Sequence, residues 1–292
     1  MRLISMNLVL LAAFFMAGIT GSNAQSIDLG RGEIPVTVPE GYDDSIPTPL
    51  IVALHGYTSN GPRIDSYMGF SRMADDYGYI TVAPTAIREP EGDENTFWNA
   101  SMACCNFYGV ETNDVDYIIS VIDDLKSKFN IDDRRVFLVG HSNGGFLSYR
   151  IAYEYPQVIA AIASLAGTMD QGPMDAPTAT VHVLQIHGTA DEVIRYGGGD
   201  IRDNRYTSAV GTVRRWAEFN GCVSEGRGRE MRDLDASLPG YETGTLRFGV
   251  GCLPGGSAEL WTIAAGAHSP VLSESYGEQV VEWLFAHPQP AS

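Results

Sequence analysis

Apolar residues gather in short unbroken runs along this chain, and between those runs they recur every three or four positions. Leu50-Ile51-Val52-Ala53-Leu54 and Val136-Phe137-Leu138-Val139 have no polar face at all. Strands of that kind are covered on both sides, the situation of parallel strands between helical layers. The same reasoning predicts strands over residues 34–38, 50–54, 79–83, 135–139, 159–165, 181–186, 245–250 and 259–263. The intervening segments switch to a helical period. Residues 115–129 place Ile118, Ile119, Ile122, Leu125 and Phe129 on one face, with Asn113 or Asp114 as N-cap and Lys126 and Lys128 at the C-terminal end of the dipole. Helices are likewise expected over 65–77, 145–155, 208–219 and 275–286, and Tyr155-Pro156 marks a stop because the residue before proline is driven out of the helical region. Strand and helix alternate over the whole length. That order predicts a mostly parallel, doubly wound α/β sheet with helices on both faces and an antiparallel edge near 27–38. No repeat, low-complexity tract or linker divides it, so residues 25–292 read as a single domain.

The first residues depart from this pattern. Arg2 precedes an apolar run from Leu8 to Ile19, and the small residues Ser22 and Ala24 follow it. The run is too short to span a bilayer as a helix, so residues 1–24 read as a signal peptide cleaved after Ala24. A secreted protein, extracellular or periplasmic, with no membrane association after cleavage, is the expectation. Charge narrows the partners: 19 Lys+Arg stand against 36 Asp+Glu, a net charge of −17. Nucleic acid would be repelled, whereas neutral or weakly charged substrates would not. Four cysteines in an exported chain are expected to be oxidised. Cys222 and Cys252 bracket a loop-rich region, and pairing them would stabilise the fold by about 3 to 4 kcal/mol in the chain-entropy model. Cys104 and Cys105 are adjacent, and their Cα atoms would lie about 3.8 Å apart across a trans peptide, below the usual bridging range. A vicinal disulfide, two thiols and a cross-pairing with Cys222 or Cys252 therefore all stay open. No His or Cys stands near them at ligand spacing, so no metal site is expected.

The strand at 135–139 runs directly into Gly140-His141-Ser142-Asn143-Gly144 and then into a helix. A serine in such a sharp strand-to-helix turn is lifted out of the backbone, and small residues on either side prevent a clash; this is the nucleophile elbow. A serine hydroxyl is a poor nucleophile at neutral pH, so it needs a base and an acid to orient that base. In the α/β-hydrolase fold the acid follows a later strand and the histidine comes last. Asp191 satisfies the first condition, in His187-Gly188-Thr189-Ala190-Asp191 at the carboxyl end of a strand, with Glu192 as its nearest competitor. His268, in Gly266-Ala267-His268-Ser269-Pro270 after the 259–263 strand, satisfies the second. His182 and His187 precede the acid, His141 lies inside the elbow, and His287 is expected to be exposed in the C-terminal tail. Two preorganised N–H donors are needed for the tetrahedral oxyanion. The backbone amide of Asn143, at a helix N-terminus, is one candidate; Tyr57, in His55-Gly56-Tyr57-Thr58, is the other, with Thr58 as fallback. Trp98 and Trp261 are candidates for substrate contact, with Phe107 and Tyr108 behind them, although aromatics fill cores as readily as pockets. Asp114 and Asp116 read as helix-capping acids rather than a paired-carboxylate site.

His55-Gly56-Tyr57, Ala83-Pro84, Phe97-Trp98-Asn99, Cys104-Cys105, Gly140-His141-Ser142-Asn143-Gly144-Gly145, His187-Gly188-Thr189-Ala190-Asp191, Trp216 with Asn220-Gly221-Cys222, and Trp261 before His268 occur together and in order. In this the chain resembles the secreted polyhydroxybutyrate depolymerase and feruloyl esterase family over nearly its whole mature length. The resemblance implies an α/β-hydrolase fold, carboxylic ester hydrolysis by Ser142, Asp191 and His268, and no metal or organic cofactor. Feruloyl or hydroxyalkanoate esters are the implied substrates, derived from plant cell wall or polyester, with acetylxylan or aromatic polyester as alternatives. Polymer-degrading members commonly add a substrate-binding domain after the catalytic one, so crystalline polymer is the lesser expectation, and the protein is taken to act as a monomer. The reading from a different class is a non-catalytic carbohydrate or polyester binder, against which the ordered nucleophile, acid and base argue.

Overall fold

The computed structural model describes residues 25–91, 95–226, 228 and 230–291. The expected signal segment, 1–24, lies outside them. A hairpin of β1 (Gln25–Asp28) and β2 (Glu33–Thr37) opens the chain, followed by β3 (Thr48–Leu54), α1 (Gly61–Met68), α2 (Phe70–Tyr77) and β4 (Ile80–Val82). A small antiparallel pair, β5 (Ile87–Arg88) and β6 (Thr96–Phe97), precedes α3 (Asp114–Lys128), β7 (Ile131–His141), α4 (Asn143–Glu154), β8 (Ala161–Leu165) and β9 (His182–Gly188). A second small pair, β10 (Gly199–Ile201) and β11 (Asn204–Tyr206), leads to α5 (Ala209–Phe219). The chain closes through β12 (Ser224–Gly226), β13 (Met231–Arg232), β14 (Thr243–Val250), β15 (Ser257–Ile263) and α6 (Tyr276–Phe285).

The main sheet runs β1-β2-β4-β3-β7-β8-β9-β15-β14-β12, with β13 paired to β14. Its middle, from β4 to β15, is parallel; β1 and β2 at one edge and β14, β12 and β13 at the other are antiparallel. Alternate side chains along each central strand feed two separate cores. Leu50, Val52, Leu138, Ile162 and Val183 face α3, α4 and α5, packing with Ile118, Ile151 and Trp216. Ile51, Ala53, Phe137, Val139 and Leu184 face the other way, onto Ile64, Phe70, Val281 and Leu284 of α1, α2 and α6. Both faces being covered is why these strands carry no polar alternation, as expected from the sequence. Each fully buried aliphatic side chain contributes about 1.5–3 kcal/mol, and the loss would be larger with a cavity left behind.

The structure modifies some of these expectations. The helix anticipated over 65–77 starts earlier, at Gly61, where Asn60 caps it through Arg63 N–H at 3.0 Å, and it breaks at Gly69, whose φ of 78° is left-handed. Asp65 covers the break, accepting from Ser71 N and from Ser71 Oγ. At α3 the cap is Asn113, which accepts from Asp116 N at 3.2 Å. Asp114 instead forms a buried ion pair with Arg31 and also accepts from the Asn99 amide. Both disulfides are formed, Cys222 to Cys252 and the vicinal Cys104 to Cys105, which resolves the pairing left open above. Among the described residues no helix is long and apolar enough to cross a membrane.

Candidate active site

β7 carries the chain into the elbow at the carboxyl edge of the sheet. Ser142 follows with φ 52° and ψ −118°, a conformation unfavourable for a residue with a side chain, and its amide is tied to Leu165 O at 2.8 Å. The turn is possible only because Gly140 and Gly144, two residues to either side, lack side chains. A Cβ on Gly140 would lie 2.2 Å from Gly144 O, and one on Gly144 would lie 2.1 Å from Leu54 O on β3. Asn143 then opens α4, so its amide is among those a helix leaves without an internal acceptor.

Asp191 and His268 are brought to the same edge by β9 and β15, which are neighbours in the sheet. Their loops are stitched together: Thr189 N donates to Ile263 O, Ala190 N to Gly266 O, and Ala265 N to Thr189 Oγ1 at 2.8 Å. A Cβ on Gly188 would come within 2.1 Å of Gly266 O, so glycine there is a condition of the approach. The outcome is a chain of contacts across positions far apart in sequence. His268 Nδ1 lies 2.8 Å from Asp191 Oδ2, and His268 Nε2 lies 3.0 Å from Ser142 Oγ.

Asp191 is buried, while Glu192, the competing acid, is exposed. Its Oδ1 accepts from the Val193 and Ile194 amides, both at 2.9 Å. Burial alone would raise its carboxyl pKa, but hydrogen bonding from His187 and His268 outweighs that and holds it well below the usual carboxylate range. His141 flanks the pair on the other side. Burial lowers its ring to about 4, so it is neutral, and its Nε2–H donates to His268 O at 3.0 Å. That bond anchors the backbone of the loop carrying His268.

Of the two amides suggested for the Tyr57 to Thr58 turn, that of Thr58 donates to Thr96 O at 2.9 Å. The Tyr57 amide has no acceptor among the described residues, and Tyr57 lines the same cleft as Ser142 and His268. This cleft, of about 350 Å³, is walled by Tyr57, Arg63, Ile64 and Tyr67. The last three come from α1 and went unnoticed in the sequence, where only the start of that helix directly after the Tyr57 loop could have pointed to them. Tyr57 is oriented by its hydroxyl, which donates to Glu89 Oε1 at 2.6 Å; burial and that carboxylate push its own pKa up to about 12.

The two tryptophans expected to meet substrate do not reach the cleft. Trp98 is fully buried: its indole donates to His55 O at 3.0 Å, and its ring lies against His55. Trp261 is fully buried too, donating to Glu259 Oε1 at 2.7 Å, with the Arg232 guanidinium over its ring. Both are core residues. Glu259 in turn accepts from Trp283 and from Arg247, which accounts for a carboxylate at 2% exposure. His287 is also not a free tail residue, since it stacks on Trp283 with ring centroids 4.1 Å apart and contacts His182.

The chain that carries this site has counterparts among known proteins. Residues 43–239 match the model of the family described as phospholipase/carboxylesterase. The chain belongs to that family. Within reach of it, the chain is 24% identical over 246 residues to feruloyl esterase B of Piromyces equi, covering 81% of this chain and 42% of that protein. It is 26% identical over 181 residues to poly(3-hydroxyalkanoate) depolymerase C of Paucimonas lemoignei, covering 60% of this chain and 39% of that protein. The resemblance drawn from the motifs is thereby borne out, although the chain spans only about two fifths of either relative's length. Among solved structures, an acetyl xylan esterase from Aspergillus awamori superposes with a TM-score of 0.60 at 17% identity, covering 89% of this chain and 98% of that one. At that identity the likeness is one of fold, and the fold is that of the α/β-hydrolases.

Proposed function

We propose that the protein is a secreted, single-domain serine esterase that hydrolyses carboxylic esters through an acyl-enzyme. The observation that carries this reading is the pair of contacts joining Ser142 Oγ to His268 Nε2 at 3.0 Å and His268 Nδ1 to Asp191 Oδ2 at 2.8 Å. His268 takes the Ser142 proton as the oxygen attacks the ester carbonyl, and Asp191 holds the ring in the tautomer that allows it. The Tyr57 and Asn143 amides receive the developing oxyanion, where fixed dipoles are worth most. His268 then returns the proton to the leaving alkoxide, and water, activated by the same base, releases the acid.

The acyl group proposed is hydroxycinnamoyl, with hydroxyalkanoate second. Tyr57 and Tyr67 give the cleft aromatic walls, which suit a planar ring, and relatives bearing the names feruloyl esterase and poly(3-hydroxyalkanoate) depolymerase support both classes. The two disulfides fit export. A fluorophosphonate probe should label wild-type protein at Ser142, and Ser142→Ala should lose on the order of 10⁶-fold in kcat on a p-nitrophenyl ester while remaining folded. Labelling elsewhere, or turnover near wild type in the variant, would remove the assignment. Methyl ferulate, acetylated xylo-oligosaccharide and hydroxybutyrate dimer, compared by kcat/KM, rank the substrates.

A further inference from the structure

Behind Asp191 a line of buried polar side chains runs back under the sheet edge, and the chemistry above uses none of them. Tyr149, on α4, donates its hydroxyl to Gln185 Oε1 at 2.5 Å. Gln185 Nε2 lies 2.7 Å from Gly167 O and 3.0 Å from His187 Nδ1. Gln185 and His187 are wholly inaccessible to solvent and Tyr149 nearly so. Such a buried network persists only when its members satisfy one another.

Counting donors settles where the His187 proton sits. The Gly167 carbonyl only accepts, so the Gln185 amide nitrogen must face it, and that same nitrogen faces His187 Nδ1. Nδ1 is therefore the acceptor and the neutral ring carries its hydrogen on Nε2. This N–H lies between Ile194 O at 2.7 Å and Asp191 Oδ2 at 3.2 Å. Asp191 Oδ2 is the oxygen that also meets His268 Nδ1.

We infer that His187, locked in its Nε2–H tautomer by Gln185 and Tyr149, is a positioning residue that sets how strongly Asp191 acts on His268. The inference rests on the esterase reading of Ser142, Asp191 and His268. With two backbone amides on Oδ1, the carboxylate has only Oδ2 free to serve the base. A second N–H dipole at Oδ2 draws off part of its negative charge and fixes its plane. Too strong a carboxylate would keep His268 protonated in the free enzyme, where it cannot accept the Ser142 proton; too loose a one would let the ring turn. The titratable and charged groups facing this pair are His187 from β9, His141 from the end of β7, with its ring centroid 5.1 Å from that of His268, Tyr196, whose ring meets His187 edge-on at 5.8 Å, and, lining the cleft with His268, Tyr57 and the α1 residues Arg63 and Tyr67. Tyr196 is itself bonded to Thr262 Oγ1 at 2.9 Å, so it leaves the His187 N–H to Ile194 and Asp191.

The test combines variants with a direct reading of the tautomer. In His187→Met the acid limb of kcat/KM on a p-nitrophenyl ester should move to higher pH by about half a unit or more. Its kcat should drop roughly tenfold with KM little changed, and His187→Gln, whose amide nitrogen can replace Nε2–H, should restore most of both. An acid limb in His187→Met that overlays the wild type overturns the inference, as does equal loss in the Gln variant. Nitrogen-15 spectra of histidine-labelled wild-type protein need no variant to fold, and they should show a buried neutral ring with its proton on Nε2; an Nδ1–H ring or a charged ring at this site overturns it independently of activity. If wild-type protein turns over no ester, the esterase reading falls and takes the inferred role with it, whereas turnover with the wrong tautomer removes the His187 role alone.

Discussion

Asn143 grips Trp98 by both ends of its side-chain amide: Oδ1 accepts from Trp98 N–H at 2.7 Å, and Nδ2 donates to Trp98 O at 3.0 Å. The residue after the proposed nucleophile thus fastens α4 to the segment that crosses in front of it. The two ends are not equivalent. Trp98 O keeps a second donor in the Ala100 amide at 2.9 Å, whereas Trp98 N–H has only Asn143 among the described residues. Asn143→Ala should therefore cost roughly 2–4 kcal/mol, the sum of one lost bond and one buried donor left unpaired. Urea unfolding of the purified variant measures it, and a change below about 0.5 kcal/mol would show that the clamp does not hold the segment.

The elbow glycines carry a sharper expectation. In Gly144→Ala the new methyl would sit 2.1 Å from Leu54 O, a backbone atom at the end of the central strand β3 that cannot step aside. Strain of that size exceeds the usual 1–3 kcal/mol of overpacking, so the variant should be recovered insoluble or strongly destabilised. Gly41→Ala is the control, because a Cβ there meets nothing within 4 Å. It should be neutral or slightly stabilising, by up to about 1 kcal/mol. Equal behaviour of the two variants, read from soluble yield and thermal midpoint, would contradict the geometry of the turn.

These glycines also show where sequence reasoning succeeds. Gly140, Gly144 and Gly188 each mark a backbone contact and each stands inside a recognisable motif, so the order of Ser142, Asp191 and His268 could be read before any contact was known. The central strands β3, β8 and β9 were legible because two-sided burial leaves no polar alternation to confuse with another pattern. Pairs as short as β5 with β6 were not, since two residues hold no period. The break at Gly69 was hidden because the apolar face continues across it, from Ile64 and Met68 to Phe70 and Ala74. Trp98 and Trp261 were misassigned for a different reason: an aromatic side chain has the same composition in a pocket as in a core, and only the partners of its indole N–H distinguish them.

The Cys222–Cys252 bridge closes a loop of 30 residues. Its removal as Cys222→Ser with Cys252→Ser should lower stability by about 3–4 kcal/mol on chain-entropy grounds, or roughly 6–16 °C in Tm for a domain of this size. Calorimetry of the double variant against oxidised wild type reads this directly. A shift under about 2 °C would mean that the unfolded chain is held together there by other means.

Acid should destabilise the protein well above the range in which carboxylates titrate. His55 is wholly buried, its Nε2 accepts from Ala86 N–H at 3.0 Å, and its Nδ1–H donates to Gly56 O at 2.7 Å. A ring whose nitrogen accepts an amide cannot take a proton without breaking that bond, and burial lowers its pKa from 6.5 to about 4. The unfolded chain binds the proton first as pH falls, so stability is complete above about 6.5 and is lost progressively down to about 4. Between pH 7.5 and pH 5 His55 alone should account for about 2 kcal/mol. His141 and His182, lowered to about 4 and about 3 by burial, act with the same sign. Asp191 acts only at lower pH, because its depressed carboxyl contributes fully above the unfolded aspartate value of 3.8 and loses that contribution below it. His55→Gln can keep an acceptor for Ala86 but has no proton to gain. Its urea midpoint at pH 7.5 should lie below that of the wild type, while its further loss on going to pH 5 should be smaller by about 2 kcal/mol; parallel losses in the two proteins would show that the ring is not held neutral by the fold.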